Sequence, residues 1–280
     1  MRYKFKILLF VSFSGIFFSI YAQTSLETQY YYANNLYQNK LYFDAVTEFK
    51  RLLFFDEGNK YSYEVSFKIG DSYKQGARFD DAIKYFTLAD INAKEDSQRF
   101  NAQIEIVKVN ILRRTTDRAL QLLDSMDANY RFYNKKDEIN YWRGWTYMFA
   151  DDWKKASKCF AQIDYEHELR KLSDAVHKEK YSEPLAKILS FFIPGAGQIY
   201  TKHYFSGALS LAWNLLFGYL TIDAFVEDRV FDGVIVGSLL WLRFYQGNYQ
   251  NAEKFAKEEN IKIINNAYRY LQNEYQGEKP

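Results

Sequence analysis

The chain has 280 residues, 48% of them hydrophobic and 26% charged, which is enough apolar material for one large domain or two ordinary ones and excludes a disordered tail. The 37 basic and 35 acidic residues give a formal net charge of +2, so the charge balance does not predict nucleic-acid binding. The chain has 25 Tyr and 24 Phe but only 3 Pro, which favours continuous helices with aromatic packing over a loop-rich enzyme. We therefore expect an all-α fold.

The N-terminus has the pattern of an export signal. Three basic residues precede an apolar run from Ile7 to Ile20, and Ala22 offers a small residue for cleavage before Gln23. This pattern predicts a signal peptide over residues 1–22, with an uncleaved N-terminal anchor helix as the alternative. Either segment would direct the chain to a membrane.

The next segment carries a repeat of 37 residues. Four alanines share this spacing: Ala45, Ala82, Ala119 and Ala156. Four residues after each alanine lies a large apolar residue: Phe49, Phe86, Leu123 and Phe160. Twelve residues before each alanine lies a residue that is mostly small: Ala33, Gly70, Val107 and Gly144. In the second and fourth units a tyrosine follows the glycine by three residues, at Tyr73 and Tyr147.

This pattern resembles the tetratricopeptide repeat, in which small residues lie where two antiparallel helices touch and large residues lie where they interlock. Helical spacing places these side chains on one face, as such packing requires. The resemblance implies about four helical hairpins between Leu26 and Arg170, within a repeat domain over residues 23–170, stacked into a solenoid. The third unit matches poorly because Val107 and Asn110 occupy the Gly and Tyr positions. An irregular helical bundle is the alternative.

A solenoid of this kind implies a concave face that binds a peptide or a partner protein. Five tyrosines are candidates for that face, with ordinary packing between repeats as the alternative: Tyr30, Tyr31, Tyr37, Tyr130 and Tyr133. The charged amphipathic segment that follows Tyr165 is expected to cap the solenoid, with a linker helix over residues 171–183 and with Leu169, Leu172 and Val176 turned inward.

Few residues in the chain suggest a catalytic or metal-binding role. Cys159 is the one cysteine, so it cannot form an intramolecular disulfide, and we expect it to pack inertly in a helix core. His167 and His177 are ten residues apart and lack a third ligand at usable spacing, so no zinc site is expected. Because no nucleophile with a base and no paired carboxylates stand out, the chain is not expected to be an enzyme or to need a cofactor or metal.

Two apolar runs follow, within a predicted domain over residues 184–250. The first, Phe205–Val226, has Asp223 as its only charge and is long enough to cross roughly 30 Å of hydrocarbon. The second, Val230–Tyr245, has only 16 residues and contains Arg243. We predict a transmembrane helical hairpin with Asp223 and Arg243 as intramembrane polar residues. A buried soluble hairpin is the alternative.

The stretch that precedes the first run is unusually rich in glycine. It lacks the Lys-Ser/Thr ending of a phosphate-binding loop and follows a predicted helix, so nucleotide binding is not expected. Its P-G-x-G-Q-x-Y pattern resembles the signature of a small bacterial membrane domain family of unknown function, and it is distantly similar to the domain of two transmembrane helices. Six residues carry the resemblance: Pro194, Gly195, Gly197, Gln198, Tyr200 and Gly207.

The physical chemistry of this motif suits a tight joint. Pro194 would end the preceding helix, and the glycines would let the backbone turn closely against the membrane helices. Gln198 would then bond backbone groups freed by the turn. A plain helix-breaking connector is the alternative.

The C-terminal segment, residues 251–280, is predicted to form an amphipathic helix that packs on the solenoid or lies on the membrane surface. Its apolar side carries five residues: Phe255, Ile263, Ile264, Ala267 and Leu271.

These parts together lead to expectations about topology and function. A cleaved signal places the repeats outside the cytoplasm, whereas basic residues at the open end of the hairpin favour a cytoplasmic open end. We give the signal priority and expect a membrane protein with a periplasmic repeat domain. Its expected function is a scaffold that contacts membrane lipid and binds partner proteins in the bacterial cell envelope. The alternative is a component of a membrane enzyme or transporter that uses Gln198, Asp223 and Arg243.

Overall fold

The structure, a computed structural model, describes residues 25–280. These residues form helices joined by turns and contain no β-strand, so the predicted all-α class is confirmed. The predicted signal peptide, residues 1–22, lies outside the described residues. The described chain divides into two compact units, with the boundary between Tyr165 and Glu166.

The first unit consists of a series of α-helices and one short 3₁₀ segment. The helices are α1 (Leu26–Gln38), α2 (Tyr42–Phe55), α3 (Ser62–Gln75), α4 (Phe79–Asn92), α5 (Asp96–Leu112), α6 (Thr116–Asp127), α7 (Lys136–Phe149) and α8 (Trp153–Ile163), and the 3₁₀ segment is Tyr130–Lys135. Each helix packs against the next one along the chain, and α5 also contacts α3 and α7.

The same turn closes four helix pairs of this unit. One residue of each turn has a left-handed backbone conformation, with φ of 61°, 54°, 59° and 63° at Lys40, Ala77, Arg114 and Asp151. In each turn the next backbone N–H donates to the carbonyl oxygen five residues earlier, at 2.8 to 3.0 Å. This combination is the Schellman ending of a helix. The turn recurs every 37 residues. It is also present in the third helix pair, α5 and α6, whose sequence departs from the repeat pattern.

The residues that define the repeat lie in the core of this unit. The four alanines and the four large residues that follow them are fully buried: Ala45, Ala82, Ala119, Ala156, Phe49, Phe86, Leu123 and Phe160. Tyr73 is also buried, whereas Tyr147 is half-buried.

Gly70 and Gly144 let an aromatic ring lie directly on a helix backbone. A Cβ added at Gly70 would lie 2.8 Å from Cδ1 of Phe86, and one added at Gly144 would lie 2.5 Å from Cζ of Phe160. Both separations are shorter than real Cβ atoms show, so a larger residue would displace the ring. The ring follows the glycine by sixteen residues in both pairs, so the two contacts are the same element of packing.

Polar side chains join α1, α3 and α5, the first helices of three successive pairs. The Tyr37 hydroxyl donates to Oδ2 of Asp71 at 2.6 Å, and Nζ of Lys74 lies 2.6 Å from Oε2 of Glu105. Burial alone would raise the pKa of Glu105, but the ammonium groups of Lys74 and Lys108 outweigh it and hold that pKa below its ordinary value. These contacts fix neighbouring pairs side by side.

The second unit is built around one long helix. Its elements are α9 (Glu168–Glu179), α10 (Glu183–Phe192), α11 (Ala196–Tyr200), α12 (Tyr204–Val226), α13 (Val230–Ile235), a π-helical segment (Val236–Trp241) and α14 (Leu242–Asn273). The last three follow one another without an intervening turn, and α14 packs against α9, α10, α11 and α12.

α14 continues across residue 250, where the sequence suggested a separate C-terminal segment. A row of buried residues at spacings of four explains the continuity: Asn248, Ala252, Ala256 and Asn260. Ala252 and Ala256 pack against Ala186 of α10, so one packed face extends over both sides of that position. Farther along, Ala267 and Leu271 are buried, and the other three residues of the predicted apolar side are half-buried: Phe255, Ile263 and Ile264.

Candidate functional site

α12 is an apolar helix that the protein leaves largely uncovered. Among the residues that the structure describes, it is the one helix long and apolar enough to cross a membrane, with 23 residues and a window of mean hydropathy 1.4. Only 22% of that window is buried, whereas a core helix would be mostly buried. The second predicted run, Val230–Tyr245, is divided among α13, the π-helical segment and the start of α14.

Large apolar side chains are exposed on α12 and on the helix beside it. They include Leu209, Leu211, Leu215, Leu216, Tyr219, Ile222, Phe225 and Val226 on α12, with Val234, Leu239 and Leu242 on the stretch that follows its turn. Exposed apolar surface on this scale marks contact with a membrane or a partner.

Small residues bring α12 close to the stretch that follows its turn. A Cβ added at Gly218 would lie 3.3 Å from Cε2 of Trp241, and one added at Gly237 would lie 3.0 Å from Cγ2 of Thr221. Glycine at such positions permits the close backbone approach typical of helix pairs in membranes.

The glycine-rich motif forms the joint between α10, α11 and α12. Pro194 lies in the turn after α10, and Gly195 follows with φ of 91°, in the left-handed region that favours glycine. A Cβ added at Gly195 would overlap the carbonyl oxygen of Gly207, and one added at Gly207 would lie 2.8 Å from Cγ1 of Ile199. The turn is therefore pressed against the first turn of α12.

Gly197 lies at the tightest point of the joint. A Cβ there would overlap the carbonyl oxygen of Ala186 and would lie 2.6 Å from Oγ of Ser190 and 2.7 Å from Cβ of Ala252. Glycine at this position lets α11 contact α10 and α14 at the same time.

Gln198 lies beside Gly197 in a buried polar network and is 1% exposed. Its Nε2 donates to the backbone oxygen of Asn248 at 2.8 Å, and its Oε1 accepts from Oγ of Ser190 at 2.7 Å. Oγ of Ser190 in turn accepts from the backbone N–H of Gly197 at 2.8 Å. As the sequence suggested, Gln198 bonds a backbone group, but that group belongs to α14, fifty residues away.

Asn248 is the residue of this network that sequence reasoning missed. Its Nδ2 donates to the carbonyl oxygen of Ser190 at 2.6 Å, and its Oδ1 accepts from the backbone N–H of Gly195 and from Oγ of Ser210, both at 2.8 Å. One side chain thus ties α10, the turn and α12 to α14. The available signal was the spacing of four that links Asn248 to Ala252 and the buried residues beyond it.

Tyr200 and Asn260 hold the start of α10. The Tyr200 hydroxyl accepts from the backbone N–H of Ser182 at 3.1 Å. Asn260 makes two hydrogen bonds with the backbone of Tyr181: Nδ2 donates to its oxygen at 2.9 Å, and Oδ1 accepts from its N–H at 2.8 Å. Asn260 lies on the same buried row of α14 as Asn248, so the side-chain amides of both residues hold α10 on α14.

Asp223 and Arg243 lie in different places. Asp223 is near the end of α12, where Oδ2 is 3.0 Å from a guanidinium nitrogen of Arg229. Arg243 lines a cavity of about 330 Å³ together with Gln198 and Asn248. The structure therefore brings Gln198 and Arg243 to one cavity, but not Asp223.

The five candidate tyrosines of the first unit fall into two groups. Tyr30 stacks on Tyr61 with ring centroids 5.0 Å apart, and Tyr37 bonds Asp71, so both take part in packing. The other three are exposed: Tyr31, Tyr130 and Tyr133.

The residues that could in principle react or bind a metal have structural roles in this protein. Cys159 on α8 is buried, and burial raises the pKa of its thiol to about 11, so the thiol stays protonated and unreactive at neutral pH. Within residues 25–280, no group of three or more His, Cys, Asp or Glu side chains could hold a metal ion. The Gln198 network is hydrogen-bonded internally, and its geometry positions helices.

Comparison of the chain with protein-family models, curated protein sequences and solved structures found no match.

Proposed function

We propose that this chain is a membrane-anchored repeat scaffold that binds partner proteins in the bacterial cell envelope. The observation that carries the proposal is the left-handed turn at 37-residue intervals in four helix pairs, within a chain whose second unit exposes a long apolar helix. The first feature supports a repeat array, and the second supports a tether.

The first unit is proposed to be a tetratricopeptide-like solenoid of four helical hairpins. Support comes from the buried alanines and large residues at equal intervals and from the two identical glycine-on-ring contacts. The polar contacts among α1, α3 and α5 support a side-by-side stack of the pairs. In such arrays each repeat contacts only its neighbours, which leaves an extended surface for a partner.

The tether is proposed to be a hairpin of α12 and the helical stretch from Val230. Charged residues at its turn favour a position in water, since Asp223, Glu227 and Asp232 all lie within ion-pair distance of Arg229. The export-signal pattern supports a repeat unit outside the cytoplasmic membrane, and the Gln198 network would be the joint that holds the hairpin on α14.

Two arginines on the exposed face of α12 should release the protein from membranes. Leu211→Arg with Leu215→Arg places charges near the middle of the helix, where each is unfavourable by about 2.5 to 3.5 kcal/mol. Leu215 is 64% exposed and Leu211 is 38% exposed, so the loss of packing at Leu211 has to be controlled for by removing the same side chains without adding charge. The measurement is extraction of washed membranes with alkaline carbonate, using chains that start at Gln23 behind a heterologous, cleavable export signal.

The matched control is Leu211→Ala with Leu215→Ala, which should stay in the carbonate-resistant pellet with the wild-type chain. A wild-type chain recovered in the soluble fraction would contradict the tether, as would a double-arginine variant that remains in the pellet.

Partner binding is tested by affinity capture from detergent extracts of envelopes. Tyr130→Ser with Tyr133→Ser removes two aromatic side chains that are 81% and 76% exposed. Because contact residues of ordinary strength are removed, recovery of specific partners should fall roughly tenfold. Phe43→Ser with Phe54→Ser removes equally exposed rings from α2 and should leave recovery unchanged. Unchanged recovery with the tyrosine pair, or an equal loss with both pairs, would argue against this binding face.

A further inference from the structure

The cavity beside the Gln198 network lies where α12 and α14 meet, and it has a volume of about 330 Å³. Its lining combines one cation with small polar groups and apolar side chains. Six lining residues define its character: Ser206, Leu209, Trp213, Arg243, Phe244 and Asn251.

Among the described residues that line the cavity, Arg243 is the single charged one, and none is a carboxylate. Within the part of the chain that the structure describes, Arg243 makes no ion pair and no side-chain hydrogen bond. A guanidinium offers planar N–H donors that match phosphate oxygens in pairs. Ser206 and Asn251, which likewise make no side-chain hydrogen bond to described residues, add a hydroxyl and an amide beside it.

An aromatic wall extends from the cavity along α12. The rings of Trp213, Phe217 and Phe244 are mutually stacked, with centroids 5.0 to 5.7 Å apart. Trp213 and Phe244 also line the cavity, so its polar end adjoins an apolar surface. A ligand with a charged head and a hydrocarbon chain fits this combination.

The position of the cavity along α12 can be compared with the thickness of a membrane. Ser210 lines it near the start of α12, whereas Glu227 follows the end of the helix. At 1.5 Å per residue these positions are roughly 25 Å apart, close to the thickness of a hydrocarbon core. In a membrane-embedded α12 the cavity would therefore lie among lipid headgroups.

We propose that this cavity binds the phosphate headgroup of an anionic glycerophospholipid. Arg243 contacts the phosphate, Ser206 and Asn251 supply further donors, and the acyl chain lies along Trp213 and Phe244. Anionic lipids are preferred because a zwitterionic headgroup carries an amine for which the described lining offers no carboxylate. This inference rests on the proposed membrane placement of α12.

The test uses the purified full chain in a neutral detergent with equimolar phosphatidylglycerol and phosphatidylcholine of matched acyl chains. Native mass spectrometry should show phosphatidylglycerol retained about tenfold more. Arg243→Gln should lower that retention about tenfold, since one charge-assisted contact is lost. Arg229→Gln, at the other end of α12, should leave it unchanged. Arg243 is exposed and unpaired among the described residues, so its variant should match the wild-type melting temperature without lipid.

Equal retention of the two lipids, or equal effects of the two arginine variants, would overturn the proposal. It would also be overturned if millimolar inorganic phosphate alone displaced phosphatidylglycerol and raised the melting temperature through Arg243, because the site would then bind a free anion. These outcomes are distinct from failure of the tether, since a protein that resists carbonate extraction and shows no lipid preference contradicts the cavity assignment alone.

Discussion

Gly197→Ala is expected to destabilise the second unit by about 3 kcal/mol or more. Overpacking a well-packed core typically costs 1 to 3 kcal/mol, and here the added methyl group meets a backbone oxygen that cannot rotate away. That oxygen belongs to Ala186, and Ser190 and Ala252 close the remaining space. The measurement is the free energy of unfolding of the full chain in detergent. It is obtained from a denaturant titration in which proteolytic cleavage of the second unit reports its unfolding.

Gly247→Ala is the matched control for this change. Gly247 also lies in a helix of the second unit, but a Cβ there meets no atom of residues 25–280 within 4 Å. Its replacement should leave stability unchanged or raise it by up to about 1 kcal/mol, as for glycine to alanine in an open helix. Equal stability of the two variants would show that α11 does not pack against α10 and α14 as described.

Asn248→Leu is expected to destabilise the same unit by about 2 to 6 kcal/mol. Leucine has a similar size but leaves the N–H of Gly195 and the carbonyl oxygen of Ser190 without their partner. Each buried polar group so stranded costs about 1 to 3 kcal/mol. The same unfolding measurement checks the value.

Asn265→Leu provides the comparison, because Asn265 lies on the exposed side of α14. Its replacement should shift the free energy of unfolding by less than about 0.5 kcal/mol. If Asn248→Leu were as mild as Asn265→Leu, the proposed role of the amide network in holding α10 and α12 on α14 would be wrong.

Much of the fold follows from patterns that a sequence displays directly. The scarcity of proline predicted helices, and the 37-residue spacing of Ala45 and its counterparts marked positions that are fully buried. The left-handed turns were not visible, because lysine, alanine, arginine and aspartate occupy a conformation for which glycine is the usual sign. The tertiary structure imposes that turn in spite of the local preference.

In the glycine-rich joint, the sequence indicated the motif residues but not their partner on α14. Gly195, Gly197 and Gln198 stand out in the sequence because turn residues and a lone amide are concentrated there. Asn248 does not stand out, because an asparagine in a polar helix resembles any solvated residue until α10 and the motif are packed against it. Contacts across fifty residues are set by how helices pack, and the spacing of four from Asn248 to Ala252 was only an indirect sign of them in the sequence.

The extent of the last helix has a similar origin. The apolar run from Val230 to Tyr245 looks like a separate element when hydropathy alone is considered. In the structure the helix continues to Asn273, because Ala252 and Ala256 extend the packed face beyond that run. Packing, and not the change in hydropathy after Tyr245, therefore determines how far the helix extends.

Cysteine labelling of intact spheroplasts tests the central claim most directly, namely that the repeat unit lies outside the cytoplasmic membrane and is tethered to it. Gly58→Cys places a thiol at an exposed turn where a Cβ meets no atom of the described chain within 4 Å, while buried Cys159 stays protonated and supplies the unlabelled background. A membrane-impermeant maleimide should label the variant without lysis, and the labelled protein should remain with washed spheroplasts. Labelling that requires lysis, or release of the labelled protein into the wash, would contradict the account.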